Sequence, residues 1–423
     1  MNRIIALSLF CVGAFASVAG AQIYDTNNEQ VQTFAGYGLP FYADGPGQYS
    51  AFSAPSQIVS DTASNLYVWD SGNARIRKIT PAALVSTLTG GGTQVEGWGT
   101  NVSLAWGTGG TLAIDHANKL WLVLGSSYYN SEAFLLSITT NGYVAVENGG
   151  LTNLGPSSGL CFDSANNLYY SGGNRIYQYV PGTQSVQPFA GNGIAGNFDG
   201  QGTVFTAFSS PAALVCDPAN NIYVWDSGNY TIRRIDQSEN VSTIAGAASS
   251  YSYSMTDGTG TNATFGYGSV AGMFSDNAGN IYFVGDGAVR KMDAQTNVVT
   301  LAGAFYSSGT FANGPGNVAR FYNPSGGCFS QGMIFIADTG NNRVRDISFN
   351  QAPQIVPPAS LQIQTYAGLQ ITGTIGRTYQ IQTSPDMKSW TTLSTFLLRA
   401  SPFVWIDSNP TGGHLYYRAA MLP

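Results

Sequence analysis

The sequence predicts an all-β protein: a closed ring of six similar sheets, followed by a small antiparallel β-domain that resembles a sandwich. Three observations support this prediction: a strand end that recurs along the chain, hairpin turns at fixed places within each repeat, and a spare copy of the strand end before the first repeat. The spacing of roughly 50 residues leaves room for about four strands per repeat. The six copies of the strand end are VQTFAG (31–36), VSTLTG (85–90), VAVENG (144–149), VQPFAG (186–191), VSTIAG (241–246) and VVTLAG (298–303).

The first and last copies predict how the ring closes. VQTFAG at 31–36 precedes the first complete repeat, whereas the last repeat ends near RVRDIS (343–348) with no copy after it. We expect the N-terminal strand to complete the last sheet, which removes the open edge that a row of sheets would otherwise expose. Six such repeats, closed in this way, predict a six-bladed β-propeller over residues 22–350.

Two turn sequences mark the hairpins of each repeat. The first is an Asp, three further residues and usually an Asn, ahead of a strand rich in β-branched and aromatic residues. The second begins at Asp70, Asp226 and Asp338, and we expect these aspartates to cap their turns through hydrogen bonds to the backbone. The first turn is found as DTASN (61–65), DHANK (115–119), DSANN (163–167), DPANN (217–221) and DNAGN (276–280).

Together with a Gly-rich loop such as DGPGQYSAFSAP (44–55), these strings resemble the NHL-repeat propellers. The resemblance covers 31–348, about three quarters of the chain, and is strongest in the first, fourth and sixth repeats. It implies a six-bladed ring. Members of that family include protein-binding and RNA-binding modules, extracellular sensor domains and a few lyases that hold a metal with central histidines, so the fold does not give the function.

The two ends of the chain predict export and a second domain. Residues 1–21 combine Arg3, an apolar run and an Ala-Gly-Ala end, which predicts a signal peptide cleaved after Ala21 and a secreted or periplasmic protein. No later stretch has the apolar length that a membrane span needs. A Pro-rich linker at 351–360 precedes a small β-domain at 361–423, which resembles tail modules of secreted bacterial proteins.

Low charge excludes some partners. Only 9% of the residues are charged, the formal net charge is −6, and no Lys/Arg cluster forms a basic patch. Nucleic-acid binding requires such a patch, so we expect none. We expect a monomer without a membrane span.

The residues that could carry chemistry are few. The two histidines, His116 in a hairpin turn and His414 in the tail domain, do not form a zinc site of three or four ligands. The string DGTG at 257–260 suggests calcium, but the same loop recurs in other repeats, which favours a structural role. No catalytic residue, metal site or cofactor is predicted; calcium would suit a site made of oxygen ligands only.

Three cysteines follow the predicted cleavage site: Cys161, Cys216 and Cys328. All three fall in corresponding strands of different repeats. Because a disulfide requires Cα atoms within about 7 Å, we expect strands of separate blades to keep them apart as buried free thiols.

Trp69 and Trp225 are the candidate ligand-binding residues. They precede the turn aspartates of the first and fourth repeats, which lie opposite each other in a six-fold ring. At the mouth of the ring, two exposed indoles could form a platform for a sugar or a peptide aromatic. The alternative is that both indoles fill the core between neighbouring sheets.

We interpret the chain as a secreted, non-enzymatic binding or scaffold protein that recognises a protein or glycan through one face of the propeller. The alternative is a calcium-dependent lyase or a lactonase-type hydrolase with its site in the central channel. A metal analysis of the purified protein distinguishes the two.

Overall fold

The computed structural model describes residues 29–105, 110–125, 133–147, 154, 158–180, 183, 185–247, 255–266, 270–305, 310–349, 367–371, 373–399, 403–407 and 416–422. The expected signal peptide at 1–21 and the linker at 351–360 lie outside these residues. None of the helices in the described ranges has the length and apolar character needed to cross a bilayer. The chain divides into two compact units, Met1–Ala352 and Pro353–Pro423.

The first unit is all-β, with six antiparallel sheets in its described part. Its first strand is β1 (Gln30–Ala35). The first sheet contains β2 (Gly45–Pro46), β3 (Pro55–Ser60), β4 (Leu66–Asp70), β5 (Arg75–Ile79) and β6 (Leu84–Gly90); the second contains β7 (Gly97–Trp98), β8 (Thr111–Ile114), β9 (Leu120–Gly125), β10 (Ala133–Ile138) and β11 (Tyr143–Val146); the third contains β12 (Leu160–Phe162), β13 (Leu168–Gly172), β14 (Arg175–Val180) and β15 (Ser185–Ala190).

The remaining three sheets repeat the same order. The fourth contains β16 (Gly200–Gln201), β17 (Pro211–Cys216), β18 (Ile222–Asp226), β19 (Thr231–Ile235) and β20 (Asn240–Ala245); the fifth contains β21 (Gly258–Thr259), β22 (Gly272–Ser275), β23 (Ile281–Gly285), β24 (Ala288–Met292) and β25 (Asn297–Gly303); the sixth contains β26 (Gly314–Pro315), β27 (Pro324–Ser330), β28 (Met333–Asp338), β29 (Arg343–Ser348) and β1. Short 3₁₀ turns lie at Gly47–Tyr49, Ser71–Asn73, Gly99–Asn101, Gly260–Asn262 and Thr339–Asn341.

The six sheets form a ring around a central channel. Their innermost strands are β3, β8, β12, β17, β22 and β27, and each contacts the next in this order, with β27 returning to β3. Apolar side chains fill the space between neighbouring sheets. The predicted β-propeller is therefore confirmed, and the described part of the third sheet lacks only the short outer strand that the Gly-rich loop supplies to the others.

The N-terminal strand closes the ring as predicted. In β1, Gln30 lies opposite Ser348 and Thr33 lies opposite Arg345 of β29. The outer strand β26 pairs with the other edge of β1, so the sixth sheet contains residues from both ends of the propeller. Val31 is fully buried in the core of this sheet.

Each first turn is held by its aspartate. In the first sheet, Asp61 Oδ1 accepts hydrogen bonds from the amides of Ala63 and Asn65, and Oδ2 accepts from the Asn65 side chain and the Tyr67 hydroxyl. The third, fourth and fifth sheets repeat this pattern around Asp163, Asp217 and Asp276. One carboxylate thus satisfies the donors of a tight hairpin and anchors the strand that follows.

A second network, here called the arginine network, joins three segments of a sheet through a buried arginine. In the fourth sheet, Arg233 Nη1 donates to Asp226 Oδ2 at 2.9 Å, and Nη2 donates to Asp199 Oδ1 at 2.7 Å. Asp226 also accepts from the Ser209 amide and the Asn229 side chain. The expectation that the turn aspartates cap the backbone of their own turns is therefore wrong, because their carboxylates accept from the backbone of an earlier segment and, within the turn, from an asparagine side chain. Equivalent arginines are Arg77, Arg290 and Arg345.

The arginine network also explains two repeated sequence strings. Asp199 begins the DGxG string, and its carboxylate accepts from the amide and the hydroxyl of Thr243 in the VSTIAG string. Asp44 and Thr87 make the same contacts in the first sheet. The arginine thereby connects the outer loop, the outermost long strand and the inner turn of one blade.

Burial opposes the charge that this network requires. It raises the pKa of Asp226 to about 6, although Asn229, the Ser209 amide and Arg233 all favour the carboxylate. Burial raises the pKa of Asp70 and Asp338 for the same reason. Both charges of such a pair are desolvated. Removal of one partner should therefore lower the free energy of unfolding more than replacement of both partners by apolar residues.

The second unit contains two small antiparallel sheets in its described part. One pairs β30 (Ala367–Ile371) with β33 (Phe403–Asp407); the other has the order β32 (Thr391–Leu397), β31 (Thr378–Ser384), β34 (Tyr416–Met421). Ile371, Tyr379, Ile381 and Leu398 form its buried core. The expected all-β character of the tail is therefore present.

Ring closure predicts a strong effect of a charge at Val31. We expect Val31→Asp to lower the free energy of unfolding by on the order of 4 kcal/mol, because it places an unpaired carboxylate in a closed core. Urea unfolding followed by tryptophan fluorescence measures the change. Gln32→Asp is the matched control on the exposed side of the same strand, with an expected change within about 0.5 kcal/mol. Equal effects of the two substitutions would contradict closure through β1.

The arginine network predicts a non-additive mutant cycle. We expect Asp226→Leu to lower the free energy of unfolding by about 3–5 kcal/mol, because Arg233 keeps a buried charge without its fully buried partner. The double variant Asp226→Leu with Arg233→Leu copies Leu124 and Leu136 of the second sheet. Its loss in free energy of unfolding should be smaller than the sum of the losses of the two single variants. Additive losses in urea unfolding would show that the two groups do not act as a pair.

Candidate functional site

The tryptophan platform expected from the sequence is wrong. The side chains of Trp69 and Trp225 are 1% and 2% exposed. Trp69 packs with Val102 and Leu112 of the second repeat, and Trp225 packs against Phe265 with ring centroids 5.6 Å apart. Both indoles fill the core between neighbouring sheets, the alternative that the sequence left open.

The physical reason is that both faces of a middle strand are covered in a ring of sheets. All five residues of β4 are buried, so alternation along the strand does not separate a solvent-exposed face from a buried one. Gly110 in the next repeat has φ +137, and a Cβ there would lie 2.7 Å from Trp69 Nε1. The neighbouring backbone therefore approaches the indole as closely as a glycine allows.

Most residues that line the cavities of the central channel have apolar side chains, but polar atoms form more than half of the exposed wall. Two cavities of about 340 and 250 Å³ lie along the innermost strands. Their walls include Gln57, Leu112, Leu160, Leu214 and Met273, and none of the described residues that line them is charged. Over the described ranges, no group of three or more His, Cys, Asp or Glu side chains is arranged to hold a metal.

The other chemistry-bearing residues have structural contacts. His116 lies in an exposed turn, where its amide donates to Asn166 Oδ1 at 2.9 Å; His414 lies outside the described residues. Asp257 of the DGTG string is buried and binds Arg290 and Thr300. Its carboxylate belongs to the arginine network of the fifth sheet, as the recurrence of the loop predicted.

The expected separation of the cysteines is wrong for one pair. The Sγ atoms of Cys161 and Cys216 are 2.9 Å apart, because the innermost strands of the third and fourth sheets run side by side at the channel wall. Both thiols are free in this structure, as is Cys328. Burial raises the pKa of Cys328 to about 12.

A third cavity lies at the seam where the ring closes. It is an open groove of about 490 Å³ between the sixth and first sheets, here called the seam groove. Its walls are Thr33, Phe34, Gly36, Tyr37, Pro46, Gly47, Gln48, Ala83, Phe311 and Arg343.

Exposed aromatic rings line the seam groove and the loop beside it. Tyr37 is 57% exposed and Phe311 is 42% exposed. Tyr37 packs edge-to-face with Phe41, which is also exposed, at a centroid distance of 6.5 Å. Tyr42 lies beside them with Arg75 over its ring at 4.4 Å. Large exposed apolar side chains gathered in this way mark an interaction surface.

Arg343 supplies the charge of the seam groove. Its guanidinium lies 4.1 Å from the centroid of the Phe311 ring, and Nη2 donates to the Tyr37 carbonyl at 3.0 Å. Partial burial lowers the pKa of Arg343. The guanidinium nevertheless stays charged at neutral pH, because arginine is so strong a base. A fixed cation with free donor capacity beside two exposed rings can bind a ligand with an apolar face and polar edges.

The seam groove was missed at the sequence level. The string GYGLPFYADG (36–45) carries Tyr37, Phe41 and Tyr42 in the loop after β1, and the corresponding string GAFYSSGTFANG (303–314) also carries three aromatic residues. The aromatic content of these two loops was the available signal. Phe311 and Arg343 come from the far end of the propeller, and only ring closure brings them to this loop.

Comparisons with known proteins identify the fold. No protein-family model matches the chain, and no curated protein does. Among solved structures, it is similar to a structural genomics protein of unknown function from Bacteroides thetaiotaomicron VPI-5482, with a TM-score of 0.59 and 18% identity over 76% of each chain. It is also similar to an auxiliary nutrient binding protein from Bacteroides ovatus ATCC 8483, with a TM-score of 0.56 and 19% identity over 76% of each chain. These similarities support the β-propeller fold, and membership of the NHL-repeat family stays a prediction.

Burial of the two tryptophans predicts a stability effect. We expect Trp225→Ala to lower the free energy of unfolding by about 3–5 kcal/mol, because it leaves a cavity between the fourth and fifth sheets. Trp98→Ala is the control, since Trp98 is 56% exposed, and it should cost less than about 1 kcal/mol. Urea unfolding measures both, and a Trp225→Ala variant as stable as the parent would contradict the buried position.

Proposed function

We propose that this chain is an exported, non-enzymatic binding protein whose propeller recognises a neutral glycan in the seam groove. The observation that carries the proposal is the juxtaposition of Tyr37, Phe311 and Arg343 along an open groove. Flat exposed rings can stack on the apolar faces of sugar rings, while Arg343, Gln48 and Thr33 offer hydrogen bonds to hydroxyl groups.

The low charge of the chain favours a neutral ligand. With 9% charged residues and a net charge of −6, the surface has little to attract a polyanion. Arg343 is the only charged side chain in the walls of the seam groove as described. A protein ligand is the second candidate, because exposed Leu39 and Tyr49 extend the apolar surface beyond the groove.

A binding role agrees with one of the similar structures. The protein from Bacteroides ovatus is described as an auxiliary nutrient binding protein, and a binding role of this kind is what we propose for the present chain. Export, by the N-terminal segment 1–21, belongs to the same proposal.

The proposal predicts loss of glycan binding on removal of either ring. Isothermal titration with cello-, xylo- and malto-oligosaccharides should find a binder, and Tyr37→Ala or Phe311→Ala should weaken it about fivefold or more, because each ring contributes on the order of 1 kcal/mol. The matched control is Phe205→Ala. Phe205 is 71% exposed in the corresponding loop of the fourth repeat, away from the seam groove.

Three results would overturn the proposal. The first is that none of these oligosaccharides binds, while a protein binds tightly and Tyr37→Ala abolishes that binding; this result would favour the protein ligand. The second is that Phe205→Ala weakens glycan binding as much as Tyr37→Ala or Phe311→Ala does. The third is turnover of a bound oligosaccharide or a lactone that requires added calcium, which would favour the lyase or hydrolase alternative.

A further inference from the structure

We propose that Cys161 and Cys216 form a reversible disulfide that joins the third and fourth sheets at the wall of the central channel. This inference is independent of the proposed glycan site. It concerns a covalent modification, and it reverses the expectation that cysteines of separate blades stay apart.

The geometry of the two thiols carries the proposal. Cys161 lies in β12 and Cys216 lies in β17, the innermost strands of neighbouring sheets, and their Sγ atoms are 2.9 Å apart. A disulfide has a sulfur–sulfur distance of about 2.05 Å, so bond formation requires the two sulfur atoms to approach by less than about 1 Å. No described side chain has to leave the space between them.

The surroundings permit exchange with a small reagent. Both cysteines line the 250 Å³ cavity of the channel, and Cys216 is partly exposed. The third thiol, Cys328, lines the same cavity from the sixth sheet, on the other side of the ring. It has no cysteine neighbour within bonding distance in the described structure and provides an internal comparison.

The third sheet lacks one of the structural links that the fourth sheet has. It has no arginine network, because Tyr177 occupies the place of the buried arginine and Gly172 occupies the place of the turn aspartate. Its described links to the fourth sheet include the hydrogen bond from Ser171 Oγ to the Ala212 carbonyl at 2.7 Å. A bond between residues 55 positions apart would restrict the unfolded chain and hold these sheets together.

The reaction balances as thiol–disulfide exchange. The Cys216 thiolate attacks the disulfide of an oxidant, such as oxidised glutathione, and releases one thiolate of the oxidant. The Cys161 thiolate then attacks the mixed disulfide, forms the Cys161–Cys216 bond and releases the second. The two protein thiols lose two protons and two electrons, and the oxidant disulfide is reduced to two thiols.

The pH dependence of this reaction follows from the environment of Cys216. Its hydrogen bond with Cys161 and its burial raise the pKa of the Cys216 thiol. Since the thiolate is the nucleophile, bond formation should accelerate as the pH rises from 7 to 9.

Differential alkylation of the full chain tests the proposal residue by residue. The protein is incubated with oxidised glutathione, denatured, blocked with light iodoacetamide, reduced and labelled with heavy iodoacetamide. We expect heavy label on Cys161 and Cys216, light label on Cys328, and a Cys161–Cys216 cross-linked peptide before reduction. Light label on both Cys161 and Cys216, glutathione retained on either, or a link to Cys328 would overturn the proposal.

Matched serine variants test the structural role. The oxidised protein should melt several degrees above the reduced protein, and Cys161→Ser or Cys216→Ser should abolish this difference. Cys328→Ser should retain it, since that thiol takes no part. A cross-linked peptide without any rise in melting temperature would support the bond and overturn its role in joining the sheets.

Discussion

A buried arginine in each of the first, fourth, fifth and sixth sheets is the interaction on which the propeller depends. In the fourth sheet, Arg233 joins the turn at Asp226, the loop at Asp199 and, through that carboxylate, the strand that contains Thr243. Three segments that are distant along the chain are thereby fixed by one fully buried guanidinium. The desolvation of its charges is costly, and the network is stable only because nearly every donor and acceptor has a partner.

The sheets without this network are stabilised differently. In the second sheet, Leu136 and Leu122 replace the arginine and its cross-strand neighbour, and both are buried in a cluster shared with the first sheet. In the third sheet, Tyr177 stacks on Tyr170 at a centroid distance of 5.2 Å. Apolar packing therefore substitutes for ionic bonds in these two sheets, and the third sheet contributes Cys161, whose thiol lies beside that of Cys216 in the fourth sheet.

Closure of the ring creates the seam groove. Because β1 comes from the N-terminus and β29 comes from the end of the propeller, the junction between the sixth and first sheets brings together loops from both ends of the propeller. The loop after β1 brings Tyr37 to this junction, and the sixth repeat contributes Phe311 and Arg343. The ring must close to avoid an open sheet edge, and this closure also produces an irregular surface that can recognise a ligand.

The sequence by itself determined the repeat, the ring and its closure. The turn aspartates, the Gly-rich loops and the spare VQTFAG string are local signals, and local backbone chemistry dictates their structure. The tertiary structure decided which surfaces are exposed. Alternation along LYVWD cannot reveal that Trp69 is covered on both sides, because the covering sheet comes from the next repeat. The closeness of Cys161 and Cys216, and of Tyr37 and Arg343, likewise depends on how distant strands meet around the ring, which no local pattern encodes.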